Sequence, residues 1–102
     1  MKIKRALISV SDKTGIVDLA KKLAEFNIEI ISTGGTKKIL TDAGVTVTDI
    51  QLVTKNPEAF GGRMKTISFT VESALLFDRE NDADEAKSLQ IEPIDLVVCN
   101  LY

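Results

Sequence analysis

The stretch Ala6-Leu-Ile-Ser-Val10-Ser-Asp-Lys-Thr-Gly15 decides the fold. An apolar run of strand character leads into a loop of hydroxyls, a carboxylate, a lysine and a glycine. A helical pattern follows, with Ile16, Leu19, Ala20, Leu23 and Ala24 on one side and Lys21, Lys22 and Glu25 on the other. The same grammar repeats at once. Ile28-Glu-Ile-Ile31 leads into Ser32-Thr-Gly-Gly-Thr36, and a second helical pattern follows to Ala43, stopped by Gly44. Residues 45–50 alternate apolar with polar and read as a third, more exposed strand. The order β-α-β-α-β predicts an open, doubly wound parallel sheet with helices on both faces, an α/β fold. In such sheets, ligands sit beyond the carboxyl ends of the strands, where the strand order reverses. Both polar loops fall at those ends.

The second half of the chain is less regular. Residues 51–66 show no clear period and contain Pro57 and Gly61-Gly62, so they read as a long irregular segment with one turn near 56–60. Residues 66–77 are ambiguous, because Ile67-Ser-Phe-Thr-Val71 alone would fit a strand, but the apolar spacing favours a helix from about Ser68; a short acidic helix over 81–89, a turn at Glu92-Pro93 and a final strand over 94–101 follow. No repeat or domain boundary is evident, so the 102 residues are expected to form a single domain, 1–102.

Composition narrows the function. The net charge of -2 argues against broad electrostatic binding of nucleic acid. The chain has no histidine, which removes imidazole acid–base catalysis and disfavours a zinc site, so no metal is expected. Cys99 is the sole cysteine and lies in an apolar run, where it reads as a small buried hydrophobe. The apolar stretch after the basic N-terminus stops at Val10, too short for a signal peptide or a membrane span, so a cytoplasmic protein without membrane contact is expected.

Hydroxyls, glycines and a lysine at strand-to-helix turns suit a phosphate, because N–H groups at a helix N-terminus point at the anion and the helix dipole favours negative charge there. The bland alternative is that Ser32–Thr36 is an N-capping turn. Gly61-Gly62-Arg63-Met64-Lys65-Thr66 adds two fixed cations. Asp12 reads as a cap for the helix after it, and Phe60, Phe69 and Phe77 as core or partner-contact residues.

Four pieces, Ile8-Ser-Val-Ser-Asp-Lys-Thr-Gly15, Ile31-Ser-Thr-Gly-Gly-Thr36, Gly62-Arg-Met-Lys-Thr66 and Val98-Cys-Asn-Leu-Tyr102, stand in one order and spacing. In this they resemble the N-terminal IMP cyclohydrolase domain of the bifunctional AICAR transformylase/IMP cyclohydrolase family. The resemblance covers nearly the whole chain and implies a methylglyoxal-synthase-like fold. It implies a purine-biosynthetic activity, the dehydrating ring closure of formylated AICAR ribotide to IMP, a hydrolase-class reaction on a cyclic amidine. By that resemblance Ser11, Lys13, Thr33, Gly34, Gly35 and Thr36 would hold the ribotide phosphate and neighbouring groups. Arg63, Lys65 and Thr66 would form the reacting end, with Lys65 stabilising charge on the formyl oxygen. Asn100 and Tyr102 would contact the base or its carboxamide. Lys65, Arg63 and Tyr102 are the candidate catalytic residues. No cofactor is implied, the ligand is a phosphorylated purine-precursor ribotide or IMP, and a homodimer is compatible with the family.

Two departures stand out. Where the family reads Lys-Thr-Leu-His-Pro with a further His nearby, this chain has Lys65-Thr-Ile-Ser-Phe69 and then Glu72. The family also continues past Tyr102, with an Asp and a Lys for the same pocket and a last strand. This chain is therefore expected to be truncated relative to the family and to carry part of its catalytic set. The alternative reading is a non-catalytic phosphate- or nucleotide-binding module, regulatory or degenerate, as the same fold serves in carbamoyl-phosphate synthetases. A methylglyoxal synthase is disfavoured, because that enzyme's catalytic histidine has no counterpart here.

Overall fold

The computed structural model describes residues 2–55, 66 and 68–100. The expected turn near 56–60 lies outside them. Four strands form one all-parallel sheet: β1 (Arg5–Ser9), β2 (Glu29–Ser32), β3 (Thr48–Asp49) and β4 (Leu96–Cys99), in the order β3-β2-β1-β4. The first three strands step outward in one direction. β4 then returns to the other side of β1, so the order reverses between β1 and β4.

The helices are α1 (Ile16–Glu25), α2 (Gly34–Asp42), α3 (Ile50–Thr54), α4 (Phe69–Leu76) and α5 (Ala83–Ser88). Alternation along the strands divides the core in two. Ala6, Ile8 and Ile30 face Ile16, Ala20 and Leu23 of α1 and Leu40 of α2. Leu7 and Ile31 face the opposite way, toward Ile50, Val71, Ala74, Ala86, Ile91 and Ile94. The sheet is thus covered on both faces, as the alternating pattern predicts.

Local rules set the boundaries. Gly15 precedes α1 at φ +76°, a left-handed conformation that a Cβ disfavours. Gly44, at φ +87°, ends α2, and Val45 N–H returns to the Leu40 carbonyl at 3.0 Å, burying Val45. Three expectations change. The third strand shrinks to Thr48–Asp49, and the segment read as irregular opens with a helix. Asp49 is the cause. Its carboxylate accepts the Gln51 N–H at 2.9 Å, caps α3 and sends Ile50 into the second core layer. Cys99 is also exposed rather than buried, because β4 is an edge strand. Its Val97 and Cys99 point to the less covered side, while Leu96 and Val98 pack on the first layer. Helix α4 begins where expected, with Ser68 Oγ accepting the Val71 N–H at 3.1 Å.

Arg79 fastens the second layer. Its guanidinium donates to the carbonyls of Phe77 (3.1 Å), Ala74 (3.0 Å) and Ile94 (2.9 Å) and lies 4.1 Å from the Phe77 ring centroid. One side chain thereby ties the end of α4 to the approach of β4. Asp95 continues the link by accepting from the N–H groups of Lys4 (3.0 Å) and Arg5 (3.3 Å).

Replacing Arg79 with Ala removes three charge-assisted bonds at once and is expected to lower unfolding free energy by about 2–3 kcal/mol in urea titrations. Arg79→Lys should recover only part of this, since one ammonium cannot reproduce the planar fork. Asp49 predicts a pH signature. The Gln51 N–H and then the Lys37 ammonium, 3.0 Å away, hold its carboxyl below the ordinary value. A depressed folded pKa stabilises the fold above the unfolded pKa of about 4, and this stabilisation fades as pH falls through the folded value. Asp49→Ala should therefore cost about 1 kcal/mol at neutral pH, with the gap closing in strongly acidic solution.

Candidate functional site

The strand-order reversal places three loop ends side by side: the residues after β1, the β2–α2 turn and the residue after β4. Their polar side chains make a connected network.

The hydroxyls of the β2–α2 turn do not cap the helix. Ser32 Oγ donates to the Ile8 carbonyl at 2.8 Å. Thr33 is the N-cap residue of α2 by backbone conformation, yet its Oγ1 makes no capping bond and pairs instead with Ser9 Oγ at 3.3 Å. Thr36 Oγ1 donates to the Val10 carbonyl at 3.1 Å and accepts the Val10 N–H at 3.3 Å. All three residues are buried and stitch α2 to β1. Gly34 and Gly35 are exposed, and no side chain caps the first turn of α2. The arrangement leaves a cradle of backbone amides at the start of α2, a geometry that suits an anion.

Lys13 arches over this cradle. Its Nζ donates to the carbonyls of Val10 (2.7 Å) and Ser11 (3.3 Å). A Cβ built on Gly35 would lie 3.6 Å from Lys13 Cε and 3.9 Å from Nζ, so the ammonium stands above the α2 N-terminus. Among the described residues no carboxylate lies within ion-pair distance of it. Asp12 does not cap α1. It closes its own turn by accepting the Thr14 N–H at 2.9 Å. That N–H, then the Thr14 hydroxyl and more weakly Lys13, keep its carboxyl below the ordinary value, so it is ionised at neutral pH.

Asn100 joins the reversal point from the β4 side. Its Oδ1 accepts from Ser11 N–H (2.9 Å), Ser11 Oγ (3.0 Å) and, at longer range, Asp12 N–H (3.4 Å), while its Nδ2 donates to the Asp12 carbonyl at 2.7 Å. The structure therefore gathers Ser11, Lys13, Thr33, Gly34, Gly35, Thr36 and Asn100 in one place. Thr66 is half-buried shortly before α4. Arg63, Lys65 and Tyr102 lie outside the described residues.

Sequence reasoning passed over Ser9 and the cross-strand use of Ser32. Their signal was a hydroxyl inside an otherwise apolar strand, in Ile8-Ser9-Val10 and Ile31-Ser32. Among the described residues no helix is long and apolar enough to cross a membrane.

Comparison with known proteins agrees with this architecture. Residues 15–102 match the MGS-like domain family. The bifunctional purine biosynthesis protein PurH of Sorangium cellulosum is 51% identical over 100 residues, spanning 98% of this chain and 19% of that protein. PurH of Acetivibrio thermocellus is 52% identical over 102 residues, spanning 98% of this chain and 20% of its own length. The chain thus spans about one fifth of these curated relatives. Among solved structures, the crystal structure of ForH superposes with a TM-score of 0.85 at 35% identity, covering 99% of this chain and 54% of that one. Sheet order, cradle and sequence point the same way, and the chain belongs to the MGS-like domain family.

Proposed function

We propose that this chain serves purine-nucleotide biosynthesis as an IMP cyclohydrolase-type domain that binds the phosphate of a formylated AICAR ribotide and closes its ring to IMP. The observation that carries the reading is the cradle of exposed Gly34 and Gly35 under Lys13, in a chain sharing about half its residues with PurH. A ribotide phosphate seated there would take hydrogen bonds from the amides at the start of α2 and the charge of Lys13. Ser11 would add a hydroxyl from the neighbouring loop.

Ring closure needs three events. The carboxamide nitrogen attacks the formyl carbon, the formyl oxygen gathers negative charge and then leaves as water, and the carboxamide and formamido nitrogens each give up one proton. A fixed cation near that oxygen lowers the barrier, and a proton-transfer group completes the dehydration. By family resemblance Lys65 supplies the charge, Arg63 and Thr66 flank it, and Tyr102 stands at the base end. With no histidine in the chain, proton transfer falls to lysine, tyrosine or carboxylates. No cofactor is required.

One observation favours the alternative, a nucleotide-binding module without chemistry. Where the family has His-Pro, this chain has Ser68-Phe69, and the Ser68 hydroxyl is committed to capping α4.

A single titration and assay separates the two. The purified chain is expected to bind IMP in calorimetry, and Lys13→Ala should weaken binding roughly 10- to 100-fold, the loss of one charge-assisted phosphate contact. Added formylated AICAR ribotide should give the absorbance change of IMP formation, abolished in Lys65→Ala. IMP binding without turnover would select the binding module, and no IMP binding at all would overturn both.

A further inference from the structure

Resting on the phosphate-site reading above, we infer that Asn100 is a positioning residue: its carboxamide clamps the Ser11–Asp12 backbone so that Ser11 and Lys13 are pre-set around the anion cradle. Family resemblance would have this side chain reach for the base, but the geometry gives its amide another use. Both ends of the carboxamide are engaged with the loop after β1. The oxygen takes the Ser11 N–H at 2.9 Å and the Ser11 hydroxyl at 3.0 Å, and the nitrogen gives to the Asp12 carbonyl at 2.7 Å. The orientation follows from the partners. Backbone N–H groups only donate and a carbonyl only accepts, so the oxygen must face Ser11 and the nitrogen must face Asp12.

The clamp does something the strands cannot. The β1–β4 pairing ends at Ser9 opposite Cys99, so the loop beyond it has no ladder partner on that side. One residue past β4, Asn100 supplies an acceptor and a donor to a turn separated from it by almost ninety residues of chain. The consequence reaches the ligand groups. The Ser11 hydroxyl is aimed by Asn100, and the carbonyl of the same clamped residue accepts from Lys13 Nζ at 3.3 Å. An aspartate here would keep the acceptor. It would also set an oxygen against the Asp12 carbonyl and a negative charge beside the anion site. A residue with no polar end would leave the Ser11 N–H and the Asp12 carbonyl without these partners.

The test compares wild type, Asn100→Asp and Asn100→Ala by calorimetry with two probes, IMP and ribose 5-phosphate, and by amide hydrogen exchange of the ligand-free chains. A clamp on the phosphate loop predicts that both variants weaken IMP and ribose 5-phosphate by the same factor, about 10-fold or more. It also predicts at least 10-fold faster exchange at the Ser11 amide in Asn100→Ala, with exchange in the core of β1 unchanged. A base contact would instead weaken IMP alone and leave ribose 5-phosphate untouched, which overturns the inference. Unchanged exchange at Ser11 overturns it as well, whether or not a ligand binds. Failure of the wild type to bind IMP overturns the phosphate-site reading, and the exchange measurement still judges the clamp on its own.

Discussion

The structure depends on how the end of β1 is finished. A central parallel strand is covered on both faces and paired on both edges, so its backbone groups are satisfied until the strand stops. Beyond Ser9 the chain is buried only through Val10 and then emerges at exposed Ser11 and Asp12, where the ladder to β4 no longer supplies partners for its N–H and C=O groups. Each is met by a named side chain. Val10 exchanges two bonds with the Thr36 hydroxyl, and its carbonyl also receives the Lys13 ammonium. Ser11 and Asp12 are met by Asn100. The same bonds that solve this structural problem bring the start of α2, the loop after β1 and the end of β4 together. The site is a product of terminating one buried strand.

Much of this was legible in the sequence because it rests on pattern. Apolar runs followed by polar loops and amphipathic stretches give the β-α-β-α-β order, apolar spacing puts the start of α4 near Ser68, and Gly44 marks a helix end by residue type. What stayed hidden depends on which of several partners a group chooses. A serine or threonine at a helix start can cap the helix or reach the adjacent strand, and both uses require the same short hydroxyl at the same position. Here the strand wins for all three: Ser32 and Thr36 donate to the Ile8 and Val10 carbonyls, and Thr33 pairs with the Ser9 hydroxyl. The third strand misled for a related reason. Alternation over 45–50 is real, but the Asp49 carboxylate offers the Gln51 N–H a cap, and the chain turns helical after two paired residues.

Arg79 shows a second limit of pattern. In sequence it sits among Asp78, Glu80 and Asp82, which reads as an acidic solvated face. In the fold the guanidinium turns away from those acids to three carbonyls, with Asp95 4.0 Å away and the Phe77 ring beneath it. Asp78 is taken up locally, accepting from the N–H groups of Asn81 and then Glu80, which keeps its carboxyl below the ordinary value. A helix end with open carbonyls outcompetes nearby carboxylates because its dipole and its geometry both suit a planar cation.

The distribution of ion pairs among the described residues leaves Lys13 of an acidic chain without a carboxylate partner. Arg5 is matched by Glu29 at 2.9 Å, and Lys37, one turn into α2, by Asp49 at 3.0 Å. Those cations are largely neutralised by full charges. Lys13 is held in place by carbonyls instead, which orient the ammonium while leaving its unit of charge intact. The nearest carboxylate in sequence, Asp12, is turned toward Thr14. A lysine fixed by neutral acceptors above an uncapped helix N-terminus concentrates positive potential at one point of a molecule whose net charge is -2. Had Asp12 paired with Lys13, the same residues would have formed a surface salt bridge and this local concentration of positive charge would have been lost.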